Sequence, residues 1–173
     1  TSTRNIDFLH EEIDLAIRYG PVKEKGLCVE ELTHEVVTPV CSPRLIEDGI
    51  SPEQLTNYPL LHLEGRSGDP DFPDWSQWIK SSHLEQISFQ HGPRFNSSSM
   101  VLQAALDGQG IAMGSSVLAA DDLRAGRLVR LFPESQLTAK YSYCLLSSEF
   151  IRQRPDVQRF VKWLKEEINT EIP

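Results

Sequence analysis

The chain has few cysteines, few basic residues and no long apolar run, and each shortage closes off a class of function. Its three cysteines (Cys28, Cys41 and Cys144) are an odd number without a CxxC pair. They supply neither a disulfide framework nor a thiolate metal cluster, and their apolar and β-branched neighbours point to reduced, partly buried thiols, consistent with the cytoplasm. Lysine and arginine number 17 against 25 acidic residues, a net charge of −8, so the chain itself is a poor partner for a phosphate backbone. No apolar stretch approaches the roughly 18–20 residues needed to cross a bilayer, which argues against a membrane partner. The opening TSTRNIDF has no signal-peptide core.

The motifs of catalysis are missing as well. There is no GxSxG, and no histidine follows His91, which removes the Ser-before-His order of the α/β-hydrolases. His10, His34, His62, His83 and His91 are scattered, with no HxxxH or HExxH pair to hold a metal. Asp69, Asp71 and Asp74 lie in a Pro/Gly loop and read as a solvated turn. Neither GxGxxG nor GxxxxGK[ST] occurs, so nucleotide cofactors lack support. With no cofactor, no metal site and no proton-transfer pair, the chain reads as a binder and not as an enzyme.

Alternating helical and extended signals argue for an α/β fold. Ile6–Glu12 reads as a short helix, and 14–20 (DLAIRYG) as a buried strand ending on polar groups and a glycine. Residues 27–31 and 33–41 look like two strands, the second rich in β-branched residues, with Pro39 suggesting an edge position or a bend. Helices are expected from Ser42-Pro43 to Ile46 and from Ser51-Pro52 to Leu55. Leu60–Leu63 is a short strand, 64–74 a loop, and Trp75, Trp78 and Ile79 share a face of the next helix. Further strands are expected at 86–95, 111–114, 128–132 and 141–147, and helices at 117–124 and 155–168. The last carries Val157, Phe160, Val161, Leu164 and Ile168 on one stripe.

The most informative run is FNSSSMVLQAALDGQGIAMGSS, residues 95–116. Ser97, Ser98 and Ser99 precede an apolar stretch with helical spacing, Gly108 and Gly110 end it, and Ile111–Gly114 comes next as a buried strand. Serines at a helix start either cap the helix or, with the first-turn N–H groups, present a site for a carboxylate or other small anion. Arg18, directly after a buried strand and before Tyr19 and Gly20, either clamps a carboxylate bidentately or pairs with a neighbouring acid. His62 and Glu64, at another strand end, are weaker candidates for ligand contact.

DLAIRYG at 14–20, VVTPVCSPRLI at 36–46, NYPLLHLEG at 57–65, DWSQW at 74–78, residues 95–114 and LRAGRLVRLFP at 123–133 resemble, in that order, the effector-binding region of LysR-type transcriptional regulators. The likeness is to the branch that includes the glycine cleavage system activator. It implies a two-lobed, periplasmic-binding-protein-like (type II) α/β effector domain, with lobe I truncated at its N-terminus. Residues 1–38 and 146–173 would form lobe I and 39–145 lobe II, with hinge strands near 36–41 and 141–147. It also implies a small polar effector, often a carboxylate. The contacts expected by position are Thr1, Arg18, Tyr19 and Gly20, then Thr38 and Pro39, then His62, Phe95, Asn96, Ser97, Ser98 and Ser115. The further partners implied are a second copy of the chain, as a homodimer or tetramer, and DNA through a helix-turn-helix segment that these residues lack. The alternative is a free-standing solute-binding protein of the same fold.

Overall fold

A computed structural model describes residues 13–22, 26–46, 49–64, 72–85, 89 and 91–171. Thr1, the helix expected at 6–12, most of the loop at 64–74 and part of the strand expected at 86–95 lie outside the described residues. In chain order the elements are β1 (Ala16–Tyr19), β2 (Leu27–Cys41), a 3-10 helix (Pro52–Asn57), β3 (Leu60–Leu63), α1 (Trp75–Ser81), β4 (Arg94–Phe95) and α2 (Ser98–Leu106). Then come β5 (Ile111–Ser115), α3 (Ala120–Arg124), β6 (Val129–Arg130), β7 (Leu137–Ser148), α4 (Glu149–Arg152) and α5 (Pro155–Glu171). The chain divides into two units, 1–34 with 141–173, and 35–140.

In the first unit β1 runs antiparallel to β7, with Ala16 opposite Leu146 and Tyr19 opposite Tyr143, and β2 comes after β7 in strand order. Its core is small. Leu145, Val157 and Val161 are buried, with Leu15, Leu32, Ile151 and Leu164 packed against them. Val157, Val161 and Leu164 recur at the i, i+4, i+7 positions that make one helix face apolar. Arg152 and Lys165 both form ion pairs with Glu30. Arg154 bridges Asp14 (2.9 Å) and Asp156 (2.6 Å).

The second unit is built on three parallel strands in the order β4-β3-β5, with antiparallel β2 on the far side of β5 and β6 beyond it on β2. Strand alternation assigns its two cores. Leu61 and Ala112 face α2, packing with Val101, Leu102, Ala104 and Ala105. Leu60 and Ile111 face the opposite way and pack with Trp75, Trp78 and Ile79. The tryptophans are core residues: Trp75 Nε1 donates to the Leu61 carbonyl (3.0 Å) and Trp78 Nε1 to that of Ser135 (2.7 Å). Gly92, at φ +145°, sits where a Cβ would run into the Leu60 carbonyl, so the approach to β4 depends on glycine.

Several elements differ from the sequence reading. β2 is one strand of 15 residues, not two. Pro39 lies inside it, with partners on both sides and so not at an edge, opposite Met113. Its carbonyl accepts from Leu131 N–H; the side of Pro39 that lacks a donor therefore faces the short β6 ladder where it ends, and little is lost. Residues 43–45 form turns instead of a helix, and 52–57 form a 3-10 helix. The helix expected at 117–124 begins only at Ala120, because Ser115 Oγ takes the Leu118 N–H into a turn first (3.1 Å). The strand expected at 128–132 is reduced to Val129–Arg130, the two residues in ladder register with Cys41 and Val40 of β2.

Candidate functional site

β3, β4 and β5 run parallel, so their C-terminal ends lie along one edge of the second unit's sheet. Leu63 is level with Phe95, and Leu61 with Ala112. This is the edge at which open α/β sheets bind ligands. The chain leaves β4 there through Asn96 and Ser97 into α2. Ser97 is the N-cap, with extended backbone at φ −141° and ψ 131°, and its carbonyl accepts from Met100 and Val101 N–H (3.1 Å each). Its side chain makes no cap hydrogen bond. The hydroxyl therefore stays available at the positive end of the helix dipole. Ser98 is half-buried, while Asn96, Ser99 and Met100 are exposed.

The other expected contacts of this unit sit in different surroundings. Phe95 packs against the α2 core. Thr38 is buried, and its Oγ1 donates to the Phe132 carbonyl (3.5 Å). Ser115 is buried and its hydroxyl donates to Glu35 Oε1. His62 is next to Leu61 on β3, so its ring leaves the sheet on the face opposite α2. Burial lowers its pKa, with help from the Arg94 charge and against a hydrogen bond to the His91 backbone and the carboxylates of Asp74 and Glu64. Its Nε2 is closed to solvent and has no hydrogen-bond partner. Glu64, just after β3, pairs with Arg94 at 3.0 Å.

The remaining candidates belong to the first unit. Arg18 and Tyr19 are consecutive on β1 and so point to opposite faces. Tyr19 joins Tyr143 (ring centroids 5.3 Å apart) and Tyr141 (6.3 Å) in an aromatic cluster, and Arg18 lies opposite Cys144. Gly20 ends the strand at φ +120°, a conformation that favours glycine.

Two features were not among the expected contacts. One is the pairing of Tyr141 and Tyr143 with Tyr19, signalled only by their i, i+2 spacing. The other is Glu35, wholly buried within β2, whose sole signal is an acid inside a β-branched run. Among the described residues no three His, Cys, Asp or Glu are grouped to hold a metal ion, and no helix is long and apolar enough to cross a membrane.

Residues 1–169 match the family described as LysR substrate binding domain. The chain is 37% identical over 164 residues to the glycine cleavage system transcriptional activator of Escherichia coli K12, covering 93% of this chain and 52% of that protein. It is 30% identical over 165 residues to the homologue in Haemophilus influenzae, covering 94% and 52%. The chain thus spans about half the length of the curated relatives it matches. Among solved structures, the AmpR effector binding domain from Citrobacter freundii superposes with a TM-score of 0.69 at 25% identity, over 96% of this chain and 80% of that one. The effector domain of AmpR of Pseudomonas aeruginosa does so with a TM-score of 0.68 at 24% identity, over 97% and 78%. On these matches and on its mixed α/β sheet, the chain belongs to the LysR substrate-binding domain family of transcriptional regulators.

Proposed function

We propose that this chain senses a small polar, carboxylate-bearing effector for a DNA-binding transcriptional regulator, without catalysing a reaction on it. The observation that carries the reading is the serine at the start of α2, whose hydroxyl makes no cap bond at the C-terminal edge of three parallel strands. A carboxylate there would accept from Ser97 and Ser98 and gain from the helix dipole. Arg18, with Tyr19 and Gly20 beside it, is the second group of contacts, its guanidinium suited to a bidentate hold on the same kind of group. Regulation results if the effector prefers one of two arrangements of the intact, oligomeric cytoplasmic regulator and shifts their populations. DNA contact falls to a segment outside these residues.

A thermal-shift screen of small carboxylates and amino acids tests the reading, with glycine included because one relative activates the glycine cleavage system. A ligand at a hundred times its Kd stabilises by about 2.7 kcal/mol. The triple variant Ser97→Ala, Ser98→Ala, Arg18→Ala is expected to keep the unliganded Tm and lose the shift. A wild-type shift in that variant would sink the assignment.

A further inference from the structure

The boundary between the two units falls within β2, after His34. On the second unit's side the first residue is Glu35, an acid with none of its surface exposed. A carboxylate held away from water needs donors built around it. Ser115 Oγ donates to Glu35 Oε1, and the same Oγ accepts the Leu118 N–H at 3.1 Å. One residue on, Ser116 Oγ accepts the Val36 N–H at 3.0 Å while Ser116 N–H donates to the Val36 carbonyl at 2.7 Å. Two pairs of residues thus anchor a four-bond lattice: Glu35 and Val36 on β2, and Ser115 and Ser116 at the ladder pair Val37–Ser115 and just past it.

This lattice does two things at once. By using the hydroxyl proton of Ser115 on Glu35, it leaves the oxygen's lone pairs for Leu118 N–H and so fixes the turn that carries the chain away from β5. It also ties that turn to the adjoining length of β2. We infer that Glu35 is a positioning residue, a buried carboxylate that holds the β5 end of the ligand edge and the neighbouring part of β2 as one rigid piece. Its consequence for ligand binding rests on the reading of that edge proposed above; its structural role does not.

Hydrogen exchange read by mass spectrometry on the full chain tests it, with E35A, E35Q, E35M, S115A and E35A/S115A beside wild type. E35A and S115A are each expected to speed exchange at least tenfold in peptides spanning 33–38 and 112–120, and to leave 60–63 and 98–106 unchanged. E35Q keeps an oxygen able to accept from Ser115 and is expected to restore protection, whereas E35M fills similar space without an oxygen and is not. The double variant is expected to be no worse than the more affected single. Faster exchange spread evenly over α2 and β3 would overturn the inference by making Glu35 an ordinary core residue. Wild-type protection of 112–120 in S115A would overturn it too, and that variant stands if E35A does not fold. Acetate titrated into the same proteins separates the two ideas. No acetate binding in wild type, with the exchange pattern intact, defeats the carboxylate reading and leaves Glu35 its role.

Discussion

At the residue scale, serines of the same type at equivalent positions do different work. Ser148 Oγ accepts the Ile151 N–H (3.3 Å) and caps α4 in the ordinary way. At Ser51 the backbone N–H is taken by Gln54 Oε1 (2.8 Å). Ser97 opens α2 with no side-chain cap. The difference has no source in the hydroxyl itself, since all three favour such positions; it comes from the residues downstream and from where the preceding strand delivers the serine. His62 shows the same dependence on surroundings. Because burial holds its pKa below the ordinary value, the folded state binds its proton less readily than the unfolded chain. Its contribution to stability is therefore present above the unfolded pKa of about 6.5 and is lost as the pH falls below it. Tm measured between pH 7.5 and 5.5 is expected to fall with a shallower slope in His62→Asn than in wild type. Equal slopes would show that His62 charges in the folded state at no cost.

At the scale of elements, local signals suffice wherever the hydrophobic period is long and cleanly bounded. α2 and α5 are such cases: apolar residues at helical spacing, a serine or proline at the start, and a glycine after α2. The Pro/Gly surroundings of Asp74 predict a solvated turn. Asp74 is exposed and is also the N-cap of α1, accepting the Gln77 N–H at 2.9 Å at the start of a helix of only seven residues that buries both Trp75 and Trp78. So short a helix leans heavily on its cap. Asp74→Ala is expected to lower stability by about 1 kcal/mol, seen as a drop in the midpoint of urea unfolding with an unchanged slope; no drop would mean that tryptophan packing alone holds α1. Sequence and structure part where partners decide. Two expected strands are one in β2, which is hydrogen-bonded to β7 as well as to β5 and β6, and the strand expected at 128–132 shrinks to the two residues opposite Val40 and Cys41.

At the scale of the whole molecule, charge sets the terms of association. A net charge of −8 opposes approach to a polyanion, and counterion release offers nothing to a surface that neutralises few phosphates. This chain alone is expected to leave duplex DNA unshifted in a gel at 150 mM salt, a concentration near the physiological value of about 0.15 M, including DNA that a complete regulator binds. Retardation that disappears at higher salt would show a basic surface concealed by the overall charge. The division into two units gives no sign in composition, because a strand that crosses a boundary has the same alternation on both sides.

Local periodicity, composition and ordered motifs were enough to establish the class of fold, the helix starts of α2 and α5, and a family membership that the matched relatives bear out. Which hydroxyls are spent and which stay open is legible only in three dimensions. Ser115, Ser116 and Thr38 are spent on Glu35, Leu118, Val36 and Phe132, residues up to 94 positions away, whereas Ser97 makes no cap bond. A hydroxyl's availability depends on donors and acceptors brought to it through space, and spacing along the chain carries no record of them.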